Sequence, residues 1–200
     1  MKIEEKNMPT HFYIFRHGQS PLNITDHIQG QRFNGTLTPI GRKQAIKTGE
    51  ILKDKNISII ISSPMKRAMQ TAKIIADIIK VPVFIDSRFI EVNMGIVEGM
   101  HISWVEKNFA ETYSKWRNDK SGKTRFAGGE SKQEVRKRIF DGLNYYANNT
   151  NHQNIGISSH GIALSQIMQH LGVPRYDIPN GAILHISHHS SVWKYHDFIN

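Results

Sequence analysis

Two histidines, each placed directly after a predicted buried strand, are the residues of this 200-residue chain best suited to chemistry. His17 follows soon after the apolar run 12–15, and His160 follows the run 155–159. Ser62 follows a third apolar run, 57–61. Short apolar runs that stop at polar residues are typical of buried strands. Because ligands bind beyond the carboxyl ends of parallel strands, we expect these three groups to lie at one site.

Arg16 and Arg67 are the candidates for binding an anion at such a site. A phosphoryl group spreads its negative charge over three acceptor oxygens, and two arginines can bind it with forked, charge-assisted hydrogen bonds. Nearby positive charge lowers the pKa of a histidine, which keeps His17 neutral and nucleophilic. If one ring nitrogen donates to a backbone carbonyl, the other points toward phosphorus. His160 is expected to stabilise charge on the oxygens of the transferred group.

Glu91 is the candidate general acid. A carboxylate close to a phosphate dianion has a raised pKa, which suits a group that must donate a proton to a leaving oxygen. The alternative is a solvated carboxylate in a loop. Four histidines of the C-terminal hairpin lie outside any such motif and are expected to be surface residues without a role in the chemistry: His185, His188, His189 and His196.

Strands and helices are predicted to alternate along the chain. The predicted strands cover residues 12–15, 57–61, 81–85 and 155–159, and a hairpin covers about 182–196. Helices are predicted after the cap-and-proline pairs Thr38-Pro39 and Ser63-Pro64, and over about 102–117, 131–147 and 162–171. This order predicts an α/β fold, a three-layer α/β/α sandwich with a mostly parallel central sheet.

The length favours one domain over residues 1–200, with residues 1–10 as a flexible N-terminal segment and about 100–128 as a lid or insert. The chain has no cysteine, which excludes disulfides and thiolate metal sites. Neither a membrane segment nor a signal peptide is predicted, so a cytoplasmic location is expected. The net charge of +9 is spread along the chain without a base-reading motif, and it favours anionic substrates over nucleic acid.

Six segments in order resemble the histidine phosphatase superfamily, also called the phosphoglycerate mutase-like family. The resemblance covers about residues 12–181. It is carried by Arg16-His17-Gly18 with Asn23, Leu37-Thr38 with Gly41, Gln44 and Ala45, Ser62-Ser63-Pro64 with Arg67, Ala68, Gln70, Thr71 and Ala72, Glu91 with Gly95, Glu98 and Gly99, Gly128-Gly129-Glu130-Ser131, and Ser159-His160-Gly161.

The resemblance implies that His17 is the residue phosphorylated and that Glu91 is the acid of the same reaction. It favours the phosphatase branch, which hydrolyses small phosphomonoesters, because the stretch of about 70 residues between Glu91 and His160 is compact. A mutase that transfers phosphoryl groups through a bisphosphorylated intermediate is the alternative. The third alternative is a binding module that has lost catalysis. Such a module would lack some of the catalytic residues, whereas this sequence has all five: Arg16, His17, Arg67, Glu91 and His160.

Further residues are predicted to bind the phosphate or the substrate: Gly18, Asn23, Gln29 and Gly161. Gly18 fits where the backbone passes close to the phosphate, and Glu98 is expected to fix its loop.

No metal or cofactor is implied, the partner is a small phosphorylated substrate, and the oligomeric state is left open, with a homodimer as one alternative. The aromatic residues of the region 104–126 either pack in the core, which is the more common role of such residues, or contact the leaving group. Lys115, Arg117 or Lys123 could bind a second anion. The loop 32–36 departs from the family pattern, with Asn34 and Thr36 where relatives often carry Asp and Pro.

Overall fold

The computed structural model describes residues 8–174 and 177–200, so most of the segment 1–10 lies outside the described residues. The strands are β1 (Thr10–Arg16), β2 (Ile59–Ser62), β3 (Val83–Ile85), β4 (Asn154–Ser159), β5 (Ile183–His189) and β6 (Val192–Ile199). The helices are α1 (Pro21–Ile24), α2 (Pro39–Leu52), α3 (Lys66–Ile79), α4 (Ile102–Asn108), α5 (Ala110–Asn118), α6 (Lys132–Asn149) and α7 (Gly161–His170).

All six strands form one sheet in the order β3-β2-β4-β1-β5-β6. The first four strands of this order pair in parallel, whereas β5 runs antiparallel to β1 and β6 runs antiparallel to β5. One face packs on α2 and α3 through Leu52 and Ile75, and the other packs on α6 and α7 through Ile139 and Leu164. The prediction of a mostly parallel sheet between two helical layers is confirmed.

Hydrogen bonds at the helix ends explain where two of the helices begin. The Thr38 hydroxyl accepts a hydrogen bond from the Gly41 N–H at 3.0 Å and caps α2, whose first residue is proline as predicted. Ser131 and Glu134 form a reciprocal capping box at the start of α6.

The predicted start of α3 at Pro64 is wrong, because the helix begins at Lys66. Met65 is still extended, and its N–H donates to the Ser63 hydroxyl at 3.3 Å. The side-chain oxygen of Asn34 then accepts from the Lys66 N–H at 2.6 Å. The atypical loop 32–36 therefore supplies an acceptor for the first turn of α3.

The single helix predicted over 102–117 is two helices, α4 and α5, which meet at Phe109. Phe109 packs against the core beside Phe126, with ring centroids 6.2 Å apart. The backbone of Phe109 is not helical, with φ −125° and ψ 33°, and periodicity along the chain does not show this break. Among the described residues, no helix combines the length and apolar character that crossing a bilayer requires.

The register of the sheet aligns three strand ends at one edge. Arg16 of β1 lies opposite Ser159 of β4, and Ser62 of β2 lies opposite Ser158. The residues that follow these strands therefore meet at the same edge, as the sequence predicts.

Replacing Gly41 with alanine is expected to destabilise the protein, although alanine is the better helix former. A Cβ at Gly41 would lie 2.1 Å from the carbonyl oxygen of Gln19 and 2.8 Å from its nitrogen. We expect the free energy of unfolding, measured by urea denaturation, to fall by roughly 2–4 kcal/mol. Gly35→Ala is the control, since the nearest atom to its added Cβ is 3.9 Å away. Equal stability of the two variants would contradict the close approach.

Candidate active site

The imidazole of His17 is held in one orientation and one tautomer. Its Nδ1 lies 2.7 Å from the carbonyl oxygen of Gly18, which can only accept, so Nδ1 carries the proton. Nε of Arg67, which can only donate, lies 3.2 Å from Nε2 of His17, so Nε2 presents its lone pair. Burial and the charges of Arg67 and Arg16 hold the pKa of His17 well below its usual value. The ring is therefore neutral, with Nε2 as its nucleophilic atom.

Arg67 is fully buried, and it connects His17 to the first long loop. Its Nη1 donates to the carbonyl oxygen of Phe33 at 3.0 Å, and its Nη2 donates to that of Gly30 at 2.9 Å. A buried guanidinium needs such acceptors to offset the loss of water. The loop therefore fixes the position of a positive charge beside Nε2.

Arg16 lines the same cavity from the end of β1. Its Nη1 donates to the carbonyl oxygen of Ile178, while its buried Nε has no hydrogen-bond partner among the described residues. A buried N–H without a partner is costly, and an anion placed beside it would satisfy it.

His160 lies against His17, with ring centroids 5.1 Å apart and an angle of 63° between the rings. Its Nε2 is 2.7 Å from the hydroxyl of Ser63, and its buried Nδ1 lacks a partner among the residues that the structure describes. Burial and the charge of Arg67 hold the pKa of His160 well below its usual value. The serine that touches this ring is Ser63, whereas the Ser62 hydroxyl donates to the Ser63 carbonyl at 2.9 Å.

Glu91 lines the same cavity as the two arginines. Its Oε1 accepts from the Val92 N–H at 2.9 Å, and its Oε2 is 3.5 Å from the N–H of Ile162 in the first turn of α7. Burial raises the pKa of Glu91 above its usual value, against the opposing effects of these N–H groups and the arginines. A raised pKa favours the protonated form, which can donate a proton toward the cavity.

The cavity lined by Arg16, His17, Arg67 and Glu91 has a volume of about 260 Å³, which is small for a ligand site. His160 is fully buried and is not among the described lining residues. One side of the cavity is polar, with Arg16, His17, Arg67 and Glu91. The remaining wall is mostly apolar: Ile28, Val92, Met94, Ile102, Tyr113, Trp116 and Ile162. Among its described lining residues, the permanent positive charges are those of Arg16 and Arg67.

The region 104–126 contributes to this wall only in part. Tyr113 and Trp116 line the cavity, whereas Phe109 packs in the core and Trp104 is 47% exposed. The three cations considered for a second anion are not among the described lining residues: Lys115, Arg117 and Lys123.

A profile of the "Histidine phosphatase superfamily (branch 1)" matches residues 12–199. This chain belongs to the histidine phosphatase superfamily. The protein named "Probable phosphoglycerate mutase GpmB" of Proteus mirabilis is 33% identical over 187 residues, which cover 90% of this chain and 86% of the relative. The Escherichia coli protein of the same name is 33% identical over 190 residues, with the same coverage.

Two of the solved structures with the same fold are named as phosphatases. The mycobacterial glucosyl-3-phosphoglycerate phosphatase superposes with a TM-score of 0.84 at 23% identity, covering 94% of this chain and 97% of that one. The alpha-ribazole phosphatase of Shigella flexneri superposes with a TM-score of 0.79 at 24% identity, covering 96% of each chain. At these identities the likeness supports the histidine phosphatase fold and nothing finer.

Two predicted substrate residues of this histidine phosphatase line the cavity. The side-chain oxygen of Asn23 accepts from the Ser20 N–H at 3.0 Å, and the Ser20 hydroxyl, which has one proton to donate, lies 3.0 Å from that oxygen and 2.8 Å from the side-chain oxygen of Gln29. Because their carbonyl oxygens are engaged, the amide NH₂ groups of Asn23 and Gln29 are the ones suited to an anion.

Gly18 and Gly161, the two glycines predicted to bind the phosphate, pack closely against other parts of the protein. A Cβ at Gly18 would lie 2.2 Å from the carbonyl oxygen of Gly41, so the absence of a side chain lets Gly18 pack closely against the backbone of α2. The N–H of Gly18 donates to the Thr71 hydroxyl at 3.0 Å. Gly161 opens α7 and packs beside Arg16, whose Nε would lie 3.4 Å from an added Cβ.

Sequence reasoning missed the network that holds Glu91. Arg138 donates to the carbonyl oxygens of Ile90 and Glu91 at 2.7 and 3.0 Å, and its Nε donates to Glu130 at 2.9 Å. Gln31 donates to the Glu91 carbonyl at 2.7 Å. The sequence holds one signal for this network. Glu130 belongs to one of the family motifs, and Arg138 follows about two turns into the next helix, where it can pair with Glu130.

Two further polar residues support the loops around the site. Asn180, also missed, donates its amide to the carbonyl oxygen of His17 at 2.9 Å. Glu98 accepts from the N–H groups of Gln31, Arg32 and Met94 at 2.7–2.9 Å. The prediction that Glu98 fixes its loop is confirmed.

Replacing Thr71 with valine tests the support beneath His17. Thr71 is fully buried, and its hydroxyl accepts from Gly18 N–H while donating to the Arg67 carbonyl at 2.8 Å. Valine keeps the shape but leaves the Gly18 N–H unpaired, so we expect the free energy of unfolding in urea to fall by about 1–3 kcal/mol. Thr71→Ser retains the hydroxyl and serves as the control. A valine variant no less stable than the serine variant would show that the hydrogen bond contributes nothing.

Proposed function

We propose that this histidine phosphatase hydrolyses small phosphomonoesters through a phosphohistidine on His17. The observation that carries the proposal is the orientation of its imidazole: Gly18 holds the proton on Nδ1, and the lone pair of Nε2 lies beside Arg67. A nucleophile, an anion-binding pair and a protonated acid together match the needs of phosphoryl transfer.

In the first step, the substrate phosphoryl group is bound between Arg16 and Arg67. Nε2 of His17 forms a bond to phosphorus as the phosphorus–oxygen ester bond breaks, and Glu91 gives its proton to the departing oxygen. The unpaired Nε of Arg16 and Nδ1 of His160 are the groups expected to satisfy phosphoryl oxygens. The phosphoryl group also replaces the ring nitrogen as the partner of Arg67 Nε.

In the second step, water attacks the phosphohistidine. The carboxylate of Glu91 takes a proton from this water, phosphate leaves, and His17 returns to its neutral state with Glu91 protonated again. Each group thus ends the cycle in the protonation state in which it began.

The charges of the cavity favour hydrolysis over mutase chemistry. A phosphoglycerate mutase must bind a second anionic group while the intermediate reorients. Both permanent cations among the described lining residues, Arg16 and Arg67, lie at the nucleophile. The rest of the lining is mostly apolar, and its polar side chains include those of Asn23, His27 and Gln29. A compact or partly apolar leaving group fits such a wall better than a second phosphate does.

The names of the relatives that are 33% identical make mutase activity the second candidate. Interconversion of 3- and 2-phosphoglycerate, primed with a bisphosphoglycerate, tests it directly. We expect phosphate release to exceed isomerisation. Isomerisation faster than hydrolysis of every ester tested would replace the phosphatase proposal. A cytoplasmic location and a small phosphorylated substrate are parts of the proposal, consistent with a chain that has no cysteine.

His17→Ala is expected to lower phosphate release by at least about a thousandfold, because it removes the nucleophile. The measurement uses a panel of aryl and alkyl phosphates in the presence of a chelator. His152→Ala is the matched control, since His152 precedes β4 at the opposite end of the sheet. Equal release by wild type and His17→Ala would overturn the mechanism, and no release by wild type would favour the silent binding module.

Trapping of the intermediate provides an independent measurement. Wild type quenched in base during turnover of a phosphorus-labelled ester should retain label that acid removes, as expected for a phosphohistidine. His17→Ala should retain none. Label that persists in this variant would place the covalent intermediate on another residue.

Glu91→Gln tests the proton donor in two ways, through the dependence of kcat/KM on the leaving group of the ester and through its dependence on pH. We expect kcat/KM for alkyl phosphates to fall by about 10²–10⁴-fold, and far less for p-nitrophenyl phosphate, whose leaving group needs no proton. In wild type, kcat/KM for alkyl esters should decline as pH rises through the raised pKa of Glu91, because the protonated form is then lost.

That alkaline decline should vanish in Glu91→Gln, while any ionisation of the substrate itself affects both proteins equally. Glu106→Gln, on the exposed side of α4, is the control. An unchanged pH profile in Glu91→Gln would assign the proton to another group.

A further inference from the structure

Three histidines meet at the end of the sheet opposite the candidate active site. His11 is near the start of β1, His185 is in β5 and His196 is in β6; we call them the three-histidine cluster. His11 precedes His17 by six residues of an extended strand, which corresponds to roughly 20 Å. One ring nitrogen from each histidine lies within 4.8 Å of the other two.

The pairing of the strands explains why these residues converge. His185 lies opposite Tyr13 on β1, so His11, two residues before Tyr13, is on the same face. On the other side, His185 pairs with Asp197 and Ile186 pairs with Tyr195, which leaves His196 as the extra residue of a β-bulge. The bulge brings His196 to the face of His185, with ring centroids 4.4 Å apart. Without the bulge, His196 would pair with Ile186, and its side chain would point to the face opposite that of His185 and Asp197.

The rings in the cluster are oriented by their neighbours. Nε2 of His185 lies 3.0 Å from Nδ1 of His11, while Nδ1 of His185 lies 3.5 Å from the carboxylate of Asp197. A carboxylate on one ring nitrogen leaves the other as the electron-pair donor, which is the usual support of a metal-binding histidine. The Nε2 of His196 contacts the Ser187 hydroxyl at 2.8 Å, which leaves its Nδ1 for a ligand.

The surroundings of the cluster keep its two less exposed rings unprotonated. Burial and the neighbouring histidine hold the pKa of His185 at about 4, and burial also lowers the pKa of His11. Both rings are therefore neutral at pH 7 and their lone pairs can coordinate a metal. His196 is exposed, so it can rotate to reach the N···N spacing of roughly 3.4 Å in a tetrahedral zinc site with bonds of about 2.0–2.1 Å.

We propose that His11, His185 and His196 form a binding site for a late first-row divalent cation such as Zn²⁺, at which Asp197 orients His185. Imidazole donors suit zinc, nickel and copper rather than magnesium or calcium. The site is separate from the phosphate chemistry, and its ligands come from β1, β5 and β6. A bound ion would therefore tie the first strand to the C-terminal hairpin and stabilise the folded chain.

The test is calorimetric titration of the full chain, without an affinity tag and after chelator treatment, with zinc sulfate. We expect one saturable site in wild type and binding at least about tenfold weaker in His196→Ala. His189→Ala is the matched control, an exposed histidine of β5 outside the cluster, and it should bind zinc as wild type does. Far-UV circular dichroism and phosphatase activity of the same samples monitor the fold independently of the metal.

Thermal unfolding gives a second readout. Zinc at about a hundredfold excess over its Kd should raise the Tm of wild type by roughly 5–10 °C and should raise that of His196→Ala by at most about half as much. Zinc binding that is equally tight in wild type and His196→Ala would overturn the proposal. So would the lack of any saturable binding by wild type below millimolar zinc.

Discussion

The guanidinium of Arg67 is fully buried, and its hydrogen bonds join three separate parts of the chain. Nε reaches His17 after β1, while the two terminal nitrogens reach the carbonyls of Gly30 and Phe33 in the following loop. A buried charge without partners is strongly destabilising, so loop and strand must keep these acceptors in place. The same contacts fix the tautomer and lower the pKa of the neighbouring histidine.

A second set of hydrogen bonds holds the acid side of the site. Arg138 extends from α6 to the backbone on both sides of the Ile90–Glu91 peptide bond, and Glu98 binds three N–H groups of the flanking loops. Most of these bonds are made to backbone atoms. The position of Glu91 therefore depends on the packing of α6 and the loops as much as on its own side chain. This support gives a loop residue the precision that a proton donor requires.

The two ends of the sheet have different electrostatic character. At the carboxyl ends of the parallel strands, two arginines surround two neutral histidines and a carboxyl group whose pKa burial raises. At the other end, three imidazoles and Asp197 lie at the junction of β1 with the terminal hairpin. The first arrangement attracts anions, whereas the second offers neutral imidazole nitrogens as electron-pair donors. Separation along the strands keeps the two fields apart, since charges many ångströms apart are screened by salt.

Local sequence patterns are sufficient to predict the alternation of strands and helices, the cap of α2 at Thr38, the start of α6 near residue 131, and the types and order of the residues at the strand ends. These features depend on local periodicity and on neighbours a few residues apart, so they can be read along the chain. Tertiary structure alone decided the start of α3 at Lys66, the break at Phe109, the Arg138 network and the meeting of His11 with His185 and His196. Each of these depends on a contact between distant segments or on a bulge that shifts the register by one residue, which no local pattern specifies.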